Sequence, residues 1–541
     1  MVNGSKLTLA SSLCYTYEEH IIMKLLIGLL LSFLFVASAS SDNSKTLLIG
    51  NSGEPATLDP HKYNLRLEET LLNDLFLGLT TFNANGEIVP GAAESWETSD
   101  DGLTWRFFLR EELKWSDGKN LTAEDFVYSF RRLLNPHTAA SLSYFLYMIK
   151  NAELVNNAKK APSSLGVYSE GPHVLVIELD QPYPYLLERL LYPTGFPVPK
   201  HIIENVGSDW VKPEHWVSNG AYVLEDWSPQ EHVKMKSNPH FFDDVYIRSL
   251  KYIPVASEQS GFNRFRTGEL DVIASFPAGK LEELRESNAK ALRLSNLLSM
   301  MYLVFNTTKG PTQDQKIRKA LSLSIDQRIL TEKVLRNGHE PAFSFVPELV
   351  SNYSFKEVPH KNLPESERLA EAKTLLGDAG YTKDIPLKIT LNYASGAENK
   401  KVSLAIMGMW KRIGVVASLQ QSDLKTHFSK LRQNDFEVAW AGWVGENNAQ
   451  HYLELLDSSI GDVNYGRYSN PSFDNAIKQA RSTSDVNQRN QLLSKAEEVS
   501  TTEYPVVPLY TLKTRRLVNE KLKGWSENLR DMHQARYLRW E

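Results

Sequence analysis

Between about residue 276 and residue 513 the chain alternates amphipathic helices with short apolar strands, which restricts it to an α/β layer architecture. Leu369, Ala372, Leu375, Leu376 and Ala379 share one helical face, and Gly380 is placed to stop that helix. Pro386–Tyr393 reads as the next strand. Val402, Ala405, Ile406, Met409, Trp410 and Ile413 form a second helical face, stopped by Gly414. Val415–Leu419 and Phe436–Trp443 read as strands on either side of a short helix, Leu424–Leu431. This βαβ order predicts a largely parallel sheet, with ligand near the carboxyl ends of its strands. Trp443 to Glu446 sits at such an end.

The first half has a different rhythm. Thr46–Ile49 is a short predicted strand, and Gly53–Tyr63 (GEPATLDPHKY) a loop fixed by its Gly and Asp-Pro positions. Leu71–Leu77 is apolar enough for a helix. Residues 77–199 read as β-rich, with His173–Leu179 a clear alternating strand. Thr104–Leu109 alternates as a half-buried strand should, and Ser116-Asp117-Gly118 is a turn. Thr122 fits an N-cap, with Glu124 and Asp125 in the first turn. Phe126, Val127, Phe130, Leu133 and Leu134 follow at helical spacing. Two prolines in Pro197–Glu204 mark a boundary.

Met23-Lys24, the apolar run Leu25–Val36 and the small-x-small triplet Ala37-Ser38-Ala39 form a secretory signal pattern. The run is shorter than the ~20 residues that span a bilayer. Translation is expected to start at Met23, with cleavage after Ala39. Cys14, the only cysteine, precedes that start, so the exported chain has no disulfide and no thiolate nucleophile. Net charge is −5, which disfavours nucleic acid and a polybasic membrane patch. No HExxH, CxxC, GxSxG or P-loop occurs, and acidic pairs alone assign no acid/base role. The reading therefore holds no catalytic residue, no metal site and no cofactor.

Phe107–Leu134 (FFLREELKWSDGKNLTAEDFVYSFRRLL) as a whole resembles a signature of the extracellular solute-binding proteins, family 5, of peptide-type ABC importers. Gly53–Tyr63, Leu75–Trp96, Ser218–Trp227 (SNGAYVLEDW), Gly261–Ile273 (GFNRFRTGELDVI) and Ala439–Asn448 (AWAGWVGENN) carry the same resemblance. For Arg266 and Asp271, within the fifth of these strings, a structural ion pair or turn is favoured over a ligand role. The resemblance implies an α/β fold of the type II periplasmic-binding-protein kind, with two lobes, a hinge and three domains. After the 1–39 leader, it places domain I in 40–76, 200–275 and 514–541, domain II in 77–199 and domain III in 276–513.

The resemblance also implies a function: capture of an extended oligopeptide between the lobes and delivery to an inner-membrane ABC permease. The protein would be a periplasmic monomer exported by a Sec signal, and not an enzyme. Backbone pairing of strand-addition type would make affinity blind to sequence. Murein peptides or a non-peptide zwitterion are the alternative ligands, and a secreted hydrolase the rival class. By the same carry-over Glu446 grips the ligand's α-ammonium, with Trp443, Val444 and Gly445 beside it, where the family pattern has aspartate. Trp440 stands where a carboxylate-binding arginine is expected, Asn399 where a histidine is, and Asn64 where a glutamate is. Lys309 matches a lysine that meets peptide C-termini, and Arg432 or Lys430 could replace the lost arginine.

Overall fold

The computed structural model describes residues 45–541. The predicted signal segment 23–39, Cys14 and the upstream stretch 1–22 lie outside the described residues. Among those described, no helix is long and apolar enough to cross a membrane.

Three sheets of four or more strands organise the molecule. The first has seven strands, in the order Leu292–Asn296, Lys513–Val518, Val272–Ile273, Leu47–Asn51, Ser249–Pro254, His232–Ser237 and Tyr222–Ser228. Leu47–Asn51 runs parallel to both of its neighbours. Asp271 is a staple of this sheet: it accepts from Leu48 N–H at 3.1 Å and Asn519 Nδ2 at 2.9 Å, and pairs with Lys45 at 3.0 Å. Arg266 lies over the Phe262 ring. The GFNRFRTGELDVI string thus serves the fold.

The second sheet is an antiparallel set of four, Ala93–Thr98, Thr104–Leu109, Val174–Glu178 and Val167–Ser169. The helix Ala123–Leu134 supplies Phe126, Val127, Phe130, Leu133 and Leu134 to its core. Thr122 N–H donates to Asp125 Oδ2 at 2.8 Å, which closes the first turn as the sequence predicts. Much of the remainder up to residue 199 is short 3₁₀ turns and loop, so this unit is less β-rich than its alternation suggests.

The third sheet has six strands: Glu340–Pro341, Val506–Thr511, Ser299–Phe305, Val438–Val444, Lys388–Ala394 and Val416–Ser422. It is mixed, which corrects the expectation of a largely parallel sheet. Lys388–Ala394 is parallel to both neighbours, but Ser299–Phe305 is antiparallel to both of its own. The reason is connectivity. Ser299–Phe305 enters from the first sheet rather than from a βαβ crossover, and it lies antiparallel between Val438–Val444 and Val506–Thr511. Gly380 (φ 88°) and Gly414 (φ 89°) do stop their helices in the left-handed region.

Sheet membership places the passage into the third unit between Asn296 and Ser299 rather than at 276. The return passage falls between Thr511 and Lys513. These two linkers touch: Leu297 N–H donates to Leu512 O at 3.0 Å. They form the hinge between one lobe, built on the first two sheets, and a second lobe built on the third.

The first two units are locked together by residues the sequence flagged separately. Arg132 forks onto Asp59 (2.6 and 3.0 Å) and donates to His61 Nδ1 at 2.8 Å, while His61 Nε2 reaches Phe196 O at 3.2 Å. Asn219 both accepts from Leu77 N–H (3.1 Å) and donates to Leu77 O (2.8 Å). Beside it, a Cβ on Gly220 would lie 2.4 Å from the Leu75 carbonyl carbon, so only glycine fits. The helix there runs Arg66–Leu75, starting earlier than its apolar stretch. Buried Glu68 accepts from Ala56, Asn64 and Leu65 N–H and so builds a polar first turn.

Candidate functional site

The strand Val438–Val444 is held in full register against Ser299–Phe305, from Ser299 opposite Val444 to Phe305 opposite Val438. Its period of two sends Trp440 and Trp443 to opposite faces. Trp440 packs with Leu303, Ile389 and Tyr510, and Trp443 with the cluster around Tyr302 and Tyr452. The strand ends at the hinge, where Gly445 N–H donates to Leu298 O at 2.8 Å. A Cβ on Gly445 would lie 2.5 Å from the Tyr452 ring, so the chain passes close before turning to Glu446.

Glu446 has a fully buried side chain and meets Arg189 of the opposite lobe at 3.1 Å. The contact, made by Arg189 Nη1, is off hydrogen-bonding geometry and leaves Glu446 Oε1 without a hydrogen bond; Arg189 Nε has no hydrogen-bond partner either. Asn448 Nδ2 donates to Glu446 Oε2 at 3.2 Å, and Glu446 N–H donates to His451 Nδ1 at 3.0 Å. An imidazole that accepts at Nδ1 is neutral; burial and then the Arg189 charge push His451 down to about 3. Trp443 meets the His451 ring edge-on at 5.3 Å. Arg189 also donates to Tyr183 OH at 3.1 Å and lies over the Phe145 ring.

The adjacent residue repeats the crossing. Glu188 Oε1 accepts from Asn447 N–H at 2.9 Å and from Arg530 Nη2 at 2.7 Å. Burial pushes the Glu188 carboxyl up, and Arg530 opposes it. Between the lobes lies a cavity of about 40 Å³ bounded by Glu446, Glu188, Glu69, Arg66, Arg530, Tyr192 and the linker residues Leu297 and Leu298. At ~10–15 Å³ per water it holds about three waters, or an ammonium group and one or two waters. Among the described residues no group of three or more His, Cys, Asp or Glu side chains is placed to hold a metal ion.

The structure brings Val444, Gly445 and Glu446 to this cavity, with Trp443 behind them. Asn399 follows the carboxyl end of the neighbouring parallel strand, at the same sheet edge, with its Nδ2 engaged by Ala394 O at 3.1 Å. Three residues lie elsewhere. Trp440 is buried on the far face. Lys309 is exposed on the turn past Phe305, the opposite end of a strand about 20 Å long. Asn64 is exposed, with its Nδ2 on Lys62 O. Arg432 is also exposed. Sequence reasoning missed Arg189, Glu188, Arg530 and His451. The single signal was Glu188-Arg189 inside the apolar run LLERLL, because charges in such a run are rarely buried without partners.

Residues 87–462 match the model of the bacterial extracellular solute-binding proteins, family 5 Middle. The chain is 36% identical to the periplasmic murein peptide-binding protein MppA of Escherichia coli K12, over 88% of this chain and 89% of that one. It is 34% identical to the periplasmic oligopeptide-binding protein OppA of Salmonella typhimurium LT2, over 90% of each. Its structure is similar to the unliganded open form of MppA, with a TM-score of 0.81, 35% identity and 92% and 97% of the two chains covered.

Proposed function

Because the chain belongs to the bacterial extracellular solute-binding proteins of family 5, we propose that it is a periplasmic receptor for oligopeptides. It takes an extended peptide between its lobes, releases it unaltered to an inner-membrane ABC permease, and works as a monomer without a chemical step. The observation that carries this reading is Glu446: a fully buried carboxylate at the floor of the cleft, beside the hinge linker at Leu297 and Leu298, on a cavity sized for an ammonium group. A ligand that touches Glu446 and the opposite wall at Tyr192 contacts both lobes at their pivot. Such a ligand favours the closed arrangement by its differential affinity for it. A tri- or tetrapeptide of roughly 20–30 heavy atoms, at ~0.3 kcal/mol each, binds near micromolar.

Murein peptides are the second reading. It is supported by Trp440, a buried indole where the family pattern has a carboxylate-binding fork, and by the similarity to MppA. The test is calorimetry with free-amine and N-acetylated forms of one tripeptide. Glu446→Gln removes one side of a buried charge pair, worth on the order of 2 kcal/mol or more, so free-amine affinity falls roughly 30-fold or more. Equal affinity of the variant and the parent for the free amine would remove Glu446 from the site.

A further inference from the structure

The charges around the cavity balance before any ligand arrives. Glu69, Glu188 and Glu446 face Arg66, Arg189 and Arg530: five of the six border the cavity, Arg66 among them and itself exposed to solvent, and Arg189 sits on Glu446. His451 beside them is an acceptor at Nδ1 and brings no charge. A ligand that offers only an ammonium would take Glu446 and leave the buried Arg189 short of its partner. Leaving one member of a buried pair unmatched is the costly case.

Two unfilled groups indicate what is missing. Glu446 Oε1 has the Arg189 charge at 3.1 Å but no well-aligned hydrogen bond, Arg189 Nε lacks an acceptor, and both side chains are at least nine-tenths buried. A group that donates to the first and accepts from the second fills both. The planar guanidinium is suited to a carboxylate, and Trp440 leaves its own lobe without a fork at the position where one was expected.

We propose that Arg189 is a specificity residue: the ligand exchanges the internal Arg189–Glu446 contact for an ammonium on Glu446 and a carboxylate on Arg189. The favoured ligand is thus a peptide whose amino end carries a carboxylate in its first or second residue. The inference rests on the peptide-receptor reading above.

The test is calorimetry of the purified protein with two matched pairs, Glu-Ala-Ala against Gln-Ala-Ala and Ala-Glu-Ala against Ala-Gln-Ala. In at least one pair the acidic peptide binds the parent roughly 30-fold or more tighter than its amide. Arg189→Met reduces that preference to within about 3-fold, because the stem still packs and the fork is gone. Glu446→Gln weakens both members of the pair. No preference in the parent, which needs no variant to fold, overturns the inference; so does a preference that Arg189→Met leaves intact. If that preference is absent or survives Arg189→Met while the amide peptides still bind and respond to Glu446→Gln, only this inference has failed. If no peptide binds, both have.

Discussion

Arg132→Met tests whether the two motif strings that meet in the first lobe hold it together. Arg132 is the sole counter-charge within ion-pair distance of Asp59 among the described residues; the side chains are 14% and 5% exposed and their closest approach is 2.6 Å. Burial raises the Asp59 carboxyl, but the Arg132 fork and charge bring it below its ordinary value. Burial, then Arg132, pushes His61 down to about 3, so the ring is neutral and accepts at Nδ1. Methionine keeps the stem and removes the charge. Asp59 then keeps the bond from the His61 backbone N–H but is buried without a counter-charge, which costs about 3–5 kcal/mol at pH 8. The pH dependence identifies the cause. Without the guanidinium, Asp59 and His61 together take up a proton that the parent excludes. The variant's folded state then binds more protons than the parent's, and its deficit shrinks by up to ~1.4 kcal/mol per pH unit below neutrality. Urea unfolding of both proteins at pH 8, 7, 6 and 5 measures this. A deficit below about 1 kcal/mol, or one that grows on acidification, refutes the argument.

Two further outcomes are expected besides those given for Glu446 and Arg189. His360 is buried, neither ring nitrogen has a hydrogen-bond partner, and burial followed by Arg368 pushes it from 6.5 to about 4. The unfolded chain gains a proton below 6.5 that the folded chain refuses, so the parent loses stability as pH falls through that window. His360→Phe, which keeps the packing on Tyr504, becomes more stable than the parent by about 2 kcal/mol on going from pH 7 to pH 5; parallel pH profiles would contradict this. Gly220→Ala forces a Cβ into the Leu75–Phe76 peptide and destabilises by more than about 3 kcal/mol, read as a collapse of the melting temperature. A shift of under about 2 °C would show that the backbone yields there.

Local pattern alone fixed a good deal of this molecule. The strand Thr104–Leu109 has the bounds its alternation indicates, and Thr122 and Asp125 begin the following helix as their spacing requires. Gly380 and Gly414 end theirs because a left-handed residue is written into the sequence. Glu446 was legible as a candidate through resemblance and by its place after a buried strand. The direction of Ser299–Phe305 was not legible, and neither were the partners of Glu446. Periodicity records which face of an element is apolar, and turn residues record where it stops. Neither records which distant segment will lie alongside. Asn447 and Glu188 are 259 residues apart in sequence, and Arg189 reaches Glu446 only because two separately built lobes dock at the hinge. Charges in an apolar run have no local partner to advertise them, so tertiary structure alone decided that Glu446 would already face a guanidinium.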